Sequence, residues 1–157
     1  MYPDFKELLS AFNDNAVKYL VVGGYAVSFH AQPRATKDLD IFLGPSADNA
    51  AAAYRALVQF GAPIAALKPE DLVEPGKFFR MGTPPVMVGI MPEIIGIAFD
   101  DAWSRRVEAV IDPDLQLKAP IVSKGDLIAA KLAAARPQDL ADVDAIEKAE
   151  RDRTSGD

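Results

Sequence analysis

Tyr19-Leu20-Val21-Val22-Gly23-Gly24, followed by residues 25–37 and then Asp38-Leu39-Asp40-Ile41-Phe42-Leu43-Gly44-Pro45, is the stretch that decides the fold. Tyr19 to Val22 is a short apolar run of β-formers stopped by two glycines, which reads as a buried strand turning into its next element. A short helix is expected from Tyr25 to Ala31, broken by Pro33. Asp38 to Leu43 reads as a second strand, closed by Gly44-Pro45. Ser46 is placed to cap an Ala-rich helix running to about Phe60, and Asp48 adds negative charge to its first turn. Upstream, Phe5, Leu8, Leu9 and Phe12 recur at helical spacing between Pro3 and Asn13, with Pro3 suited to a first turn. Strand, helix, strand, helix is the pattern of an α/β domain.

Further along, six prolines between Pro63 and Pro92 cut the chain into short pieces. Phe78 to Met81, Val86 to Ile90 and Arg105 to Ile111 are the strand candidates there. Ser123-Lys124-Gly125-Asp126 is close to a capping box and opens a helix through Ala135. Pro137 begins a last helix to about Glu150, and the polar tail from Arg151 to Asp157 is expected to fray. No repeat or linker divides the chain, so residues 1–157 are expected to form a single domain.

Composition narrows the chemistry. The 157 residues are 50% hydrophobic and 25% charged, enough for a real core without staples. With no cysteine, disulfides, thiolate metal sites and a cysteine nucleophile are excluded. One histidine, His30, leaves carboxylates as the ligands in number, which points to a hard ion such as Mg²⁺. A net charge of -6 argues against nucleic-acid binding over the whole surface, although not against a local basic patch. No apolar run reaches the roughly 18 residues of a membrane span, and Met1-Tyr2-Pro3-Asp4 lacks the blocks of a signal peptide. A soluble cytoplasmic protein is expected, with no membrane partner.

Residues i and i+2 of a strand share a face, so Asp38 and Asp40 project together while Leu39, Ile41 and Leu43 point the other way. Two carboxylates about 4 Å apart repel by roughly 4 kcal/mol at an effective dielectric near 20. A divalent cation removes that cost, and Mg²⁺ commonly takes one or two carboxylates plus waters and substrate phosphates. Gly23 and Gly24, lacking Cβ atoms, let backbone N–H groups at the start of the following helix approach a phosphate. Arg34 and Lys37, just before the acids, are placed to screen the remaining negative charge. Taken alone, Gly-Gly is ordinary turn chemistry and Asp-x-Asp a solvated strand edge. In this order and on these elements they make one nucleotide-metal site.

These residues resemble the polymerase-β-type nucleotidyltransferase pattern of hydrophobic-Gly-(Gly or Ser), a spacer, then Asp-hydrophobic-(Asp or Glu)-hydrophobic. The longer strings Gly23-Gly24-Tyr25-Ala26 and Pro33-Arg34-Ala35-Thr36-Lys37-Asp38-Leu39-Asp40 are similar to the small bacterial nucleotidyltransferases related to abortive-infection type IV toxins. So is Asp126 to Asp142, with its Lys131, Arg136, Asp139 and Asp142. The stretches cover most of the chain's ordered length. The resemblance implies an α/β (α+β) domain with a mixed sheet flanked by helices. It implies an NTP substrate, Mg²⁺ (or Mn²⁺) and transfer of a nucleoside monophosphate to an acceptor hydroxyl of tRNA or protein, with pyrophosphate leaving. It further implies a toxin of a toxin-antitoxin pair, with a cognate antitoxin as partner. In that implied mechanism Asp38 and Asp40 hold the metal and are catalytic, Gly23 and Gly24 cradle the triphosphate, and Lys131 contacts its distal phosphates. Arg136 is counted with the nucleotide-binding residues beside Arg34 and Lys37. Asp139 and Asp142, at i and i+3, either orient Lys131 and Arg136 or form a solvated helix face.

One position departs from the pattern. The family supplies a third carboxylate from a later strand, as metal ligand and base for the incoming hydroxyl, and here Gly89 aligns with it. Glu93 is the nearest replacement acid, though Pro92 before it argues for a bend that aims it elsewhere. Losing a general base commonly costs about 10²- to 10⁴-fold in rate. A catalytically impaired NTP-binding or partner-binding regulatory protein is therefore the alternative. A small-molecule nucleotidyltransferase of the antibiotic-modifying sort is disfavoured by the short chain. His30 reads as a helix-end packing residue, Phe99 and Trp103 as an i, i+4 packing pair. Phe78-Phe79-Arg80 reads either as a base-stacking element or as a strand with one buried aromatic.

Overall fold

The computed structural model describes residues 1–33, 35–84 and 86–155. Its centre is a six-stranded mixed sheet in the order β3-β4-β2-β1-β6-β5. Helix α1 (Pro3–Asp14) carries proline in its first turn and buries Phe5, Leu8, Leu9 and Phe12. Strand β1 (Tyr19–Val22) is buried throughout and leads directly into α2 (Gly23–His30). Strand β2 (Asp38–Leu43) follows, then α3 (Ala47–Phe60), whose cap Ser46 accepts the Asn49 N–H and whose end is a left-handed Gly61. A turn of 3-10 helix (Pro69–Val73) precedes β3 (Phe79–Thr83) and β4 (Val86–Met91). Helix α4 (Phe99–Ser104), the hairpin β5 (Val107–Asp112) and β6 (Leu117–Ile121), then α5 (Lys124–Ala134) and α6 (Pro137–Ser155) complete the chain.

Strands β1 and β2 run antiparallel, with Val22 opposite Asp40. Strand β4 lies parallel to β2, with Gly89 opposite Asp40, and β6 lies parallel to β1. Alternation along β2 puts Leu39 and Ile41 on a fully buried face. On that side Phe5 of α1 and Phe60 of α3 border Met81 and Val88. The other face carries Asp38 and Asp40 and, further along, Phe42, whose ring meets Phe99 of α4 edge-on at 5.2 Å. Leu127 of α5 is buried beside Val22 and Val122 on this side.

Four elements differ from the sequence expectation. Helix α2 begins at Gly23 instead of Tyr25, because Gly23 adopts φ +65° and Val22 serves as the extended cap. Strand β6 is unexpected: Pro120 and Lys118 disguise it, although Pro120 sits in register with Glu108 of β5. Helix α4 is a six-residue element too short for a periodic signal. The tail expected to fray from Arg151 is helical through Ser155, where Thr154 and Ser155 donate to the carbonyls of Glu150 and Arg151. No described helix is long and apolar enough to cross a membrane.

Candidate functional site

The glycine corner and the acid pair meet. A Cβ built on Gly23 would collide with the Oδ2 of Asp40, so the Asp40 carboxylate rests on the α2 N-terminus where any other residue would displace it. At Gly24 a Cβ would stand 2.8 Å from Cγ2 of Thr36, which packs the residues before β2 onto the same corner. The Tyr25 hydroxyl fastens them further by donating to the Thr36 carbonyl at 3.1 Å. Asp38 and Asp40 are both half-buried and face one open cleft with Gly24, Thr36, Lys37 and Gln138. Burial pushes the Asp40 carboxyl above its ordinary value, and the neighbouring charge of Asp38 adds to the rise. Arg80 and Lys131 oppose it. Asp40 also reaches a second cavity of about 240 Å³, lined by Val22, Met91, Glu93, Lys131 and Arg136 among others.

Lys131 enters that cavity from α5, held from behind by α6. Its Nζ lies 2.9 Å from Asp142 Oδ2 and 3.5 Å from Asp139 Oδ1, and both acids are nearly sealed from solvent. The chain turns between the helices through Ala135 in the left-handed region, which brings Arg136 over the start of α6. Asp139 accepts from the Arg136 backbone N–H at 3.2 Å and from its guanidinium at 2.7 and 3.2 Å. The Asp139 carboxyl is held below the ordinary aspartate range, first by the Arg136 hydrogen bond. Gln138 donates to Asp142 at 2.9 Å. The solvated-face reading of Asp139 and Asp142 is therefore overturned: they are buried counter-charges, and Lys131 is fixed by them.

Other residues singled out in the sequence fall as follows. Arg34 lies outside the described residues. Lys37 is exposed at the rim of the open cleft. Gly89 stands directly opposite Asp40, with no carboxylate of its own to offer there. Glu93 lines the same cavity as Asp40 and Lys131, and its Oε1 accepts from the Gly76 N–H at 3.0 Å. His30 is buried, its Nε2 hydrogen donating to the Val122 carbonyl at 2.8 Å, and burial lowers its pKa. Phe99 and Trp103 stack at 5.8 Å, as a packing pair. Sequence reasoning named Arg80 only within the Phe78-Phe79-Arg80 stacking alternative and missed Gln138, since only the pairing of β3 with β4 and the α5–α6 turn bring them to the site.

Among the described residues no three carboxylates or histidines gather into a metal cage. Two acids on one face, beside a glycine corner open to solvent, match the donor set of an ion that completes its shell with water and substrate oxygens. Such a site lies at a helix N-terminus with a fixed lysine close by, which suits a polyphosphate. No curated protein is matched by the chain. A family profile described as "Nucleotidyltransferase of unknown function (DUF6036)" matches residues 4–151. Nearly the whole chain is spanned by that match, and the protein belongs to this nucleotidyltransferase family.

Proposed function

We propose that the chain transfers a nucleoside monophosphate from an NTP to an acceptor hydroxyl, of tRNA or protein, at the Asp38–Asp40 cleft. The observation that carries this reading is the contact of Asp40 with Gly23, which joins the acid pair and the glycine corner into one place. Asp38 and Asp40 would hold Mg²⁺ or Mn²⁺, which when bound supplies charge neutralisation and Lewis acidity at the phosphates. The Gly23 and Gly24 backbone seats the triphosphate against the start of α2, where at Gly23 nothing larger than hydrogen fits beside Asp40. Lys131 reaches the same phosphates from the cavity side, its direction set by Asp142 and Asp139. Arg136, largely exposed, and Lys37 extend the positive rim. At the acceptor side the β4 position opposite Asp40 is a glycine, so the hydroxyl proton leaves without a carboxylate there. Slow turnover follows.

Purified protein incubated with each labelled NTP, Mg²⁺ and either total tRNA or cell extract tests this. Label in RNA or protein, lost in Asp38→Ala, supports transfer. Saturable NTP binding without transfer would establish the second reading, an NTP-binding regulatory protein, which Gly89 favours. The resemblance of residues 126–142 to toxin-related enzymes supports a toxin role. Induction in a bacterial host should then arrest growth, and Asp38→Ala should relieve it.

A further inference from the structure

Asp40, Gly89 and Arg80 form one row across three strands, Asp40 opposite Gly89 on β4 and Gly89 opposite Arg80 on β3. Directly opposed residues present their side chains to the same face, so Arg80 and Asp40 flank Gly89, whose missing side chain makes room for the Phe78 ring. The space above the glycine is filled. A Cβ at Gly89 would stand 2.9 Å from Asp40 Oδ1 and 2.8 Å from Cζ of Phe78. Phe78 is 49% exposed, and the Arg80 guanidinium carbon lies 5.7 Å from its ring centre. Among the described residues no carboxylate comes within 4.0 Å of the Arg80 guanidinium. Its charge is still felt at Asp40.

The charges around the cleft divide into two groups. Lys131 and Arg136 are matched by Asp139 and Asp142, which leaves, among the described residues, Asp38, Asp40 and Glu93 against Arg80 and Lys37, a net single negative charge. Two-metal phosphoryl-transfer sites set their ions about 3.5–4 Å apart on shared ligands. Here Asp40 faces a glycine, a ring and a guanidinium toward β4 and β3, while the acid in its other cavity, Glu93, is engaged by the Gly76 N–H. One divalent cation already reverses the sign of the remaining charge, and another would face a cation with no added ligand.

We propose that Arg80, reaching past the Phe78 ring beside Gly89, takes the place of a second metal ion: Asp38 and Asp40 hold one divalent cation, and the guanidinium pairs with phosphate oxygens of the bound nucleotide. The inference rests on the nucleotide-metal reading of the site given above. Two strand spacings separate Arg80 from Asp40, about 10 Å, a span that an arginine and a phosphate fill together. A guanidinium meets phosphate through paired hydrogen bonds, which makes it a fixed positive charge with direction. Arg80 is exposed on the edge strand β3, so it reaches a phosphate past the Phe78 ring that covers the glycine.

Mn²⁺ titration of the full chain, read by electron paramagnetic resonance with and without a non-hydrolysable NTP analogue, is the test. One Mn²⁺ per chain is expected in both conditions. Arg80→Gln should bind Mn²⁺ alone about fourfold more tightly, because a like charge about 10 Å from the ion is gone. The same variant should bind the analogue with Mn²⁺ about tenfold more weakly. Arg80→Lys should return the Mn²⁺ affinity to that of the parent and recover analogue binding only in part. Two Mn²⁺ per chain in the parent, or unchanged affinities in Arg80→Gln, would overturn the inference alone. Failure of the parent to bind Mn²⁺ with the analogue would remove the nucleotide-metal reading itself.

Discussion

The ammonium of Lys131 lies 2.9 Å from Oδ2 of Asp142, with the two side chains 13% and 4% exposed. A pair so enclosed stabilises little by its presence but costs heavily when one half is removed. Asp142→Ala leaves Lys131 with the longer 3.5 Å contact to Asp139. We expect a loss of about 2–4 kcal/mol in urea unfolding, and weaker nucleotide binding even in the molecules that remain folded. Asp142→Asn, which keeps the shape and an acceptor oxygen, should cost less.

Asp40 has the opposite character. Its carboxyl is raised by burial and by Asp38, so the charged form is disfavoured in the folded chain. A raised native value means that the folded state binds the proton more tightly than the unfolded chain, and stability falls as pH climbs from the ordinary aspartate value of 3.8 through that raised value. Asp40→Asn removes the cost. In metal-free buffer at neutral pH the variant should melt about 2 °C higher, and the gain should shrink as pH drops through the raised value and be gone below the ordinary aspartate value of 3.8. Added Mn²⁺ should stabilise the parent and not the variant, a crossing that a thermal melt reads directly.

Gly23 and Gly24 should respond differently to alanine. Gly23 has φ +65° and its new methyl would strike Asp40, so Gly23→Ala should cost about 1–3 kcal/mol and displace the carboxylate from the α2 N-terminus. At Gly24 the obstacle is a Thr36 methyl at 2.8 Å, a side-chain end that can turn aside. Denaturation curves with Mn²⁺ titrations on both variants separate the two cases: equal losses would mean that Asp40 does not depend on that corner.

Acid unfolding should be led by carboxyls with the reverse shift. Asp126 is held low chiefly by Arg105, which donates at 3.0 and 2.9 Å, and Asp139 by Arg136. Each favours the native state above the ordinary aspartate value of 3.8, and that advantage is lost as pH falls through its lower native value. Asp126→Asn should flatten the acid limb of the stability curve below about pH 4 while lowering stability at neutral pH. An unchanged acid limb would show that the Arg105 pair does not hold in solution.

The readable parts of the sequence were those whose cause is local. Strand β2 follows from alternation, α3 from the Ser46 cap, and α5 from Ser123, which accepts the Asp126 N–H at 3.1 Å. The capping-box acid serves two partners: Asp126 accepts from the Ser123 hydroxyl at 2.9 Å as well as from Arg105. The convergence of Asp38 with Asp40 follows from strand geometry, but their contact with Gly23 needs the antiparallel register of β1 and β2. Arg80 was illegible as a site residue because nothing in Phe78-Phe79-Arg80 fixes which β4 residue it faces. Strand β6 was hidden by Pro120, and the last turns of α6 by a run of polar residues without an apolar stripe.

The order in which the site's parts lie along the chain has a biosynthetic consequence. The glycine corner and the acids Asp38 and Asp40 are made early, whereas the carboxylates that fix Lys131 are made far later, on α6. Until α6 emerges from the ribosome, Lys131 lacks those counter-ions. Whatever catalysis the cleft performs would be withheld until α6 has been translated and has docked.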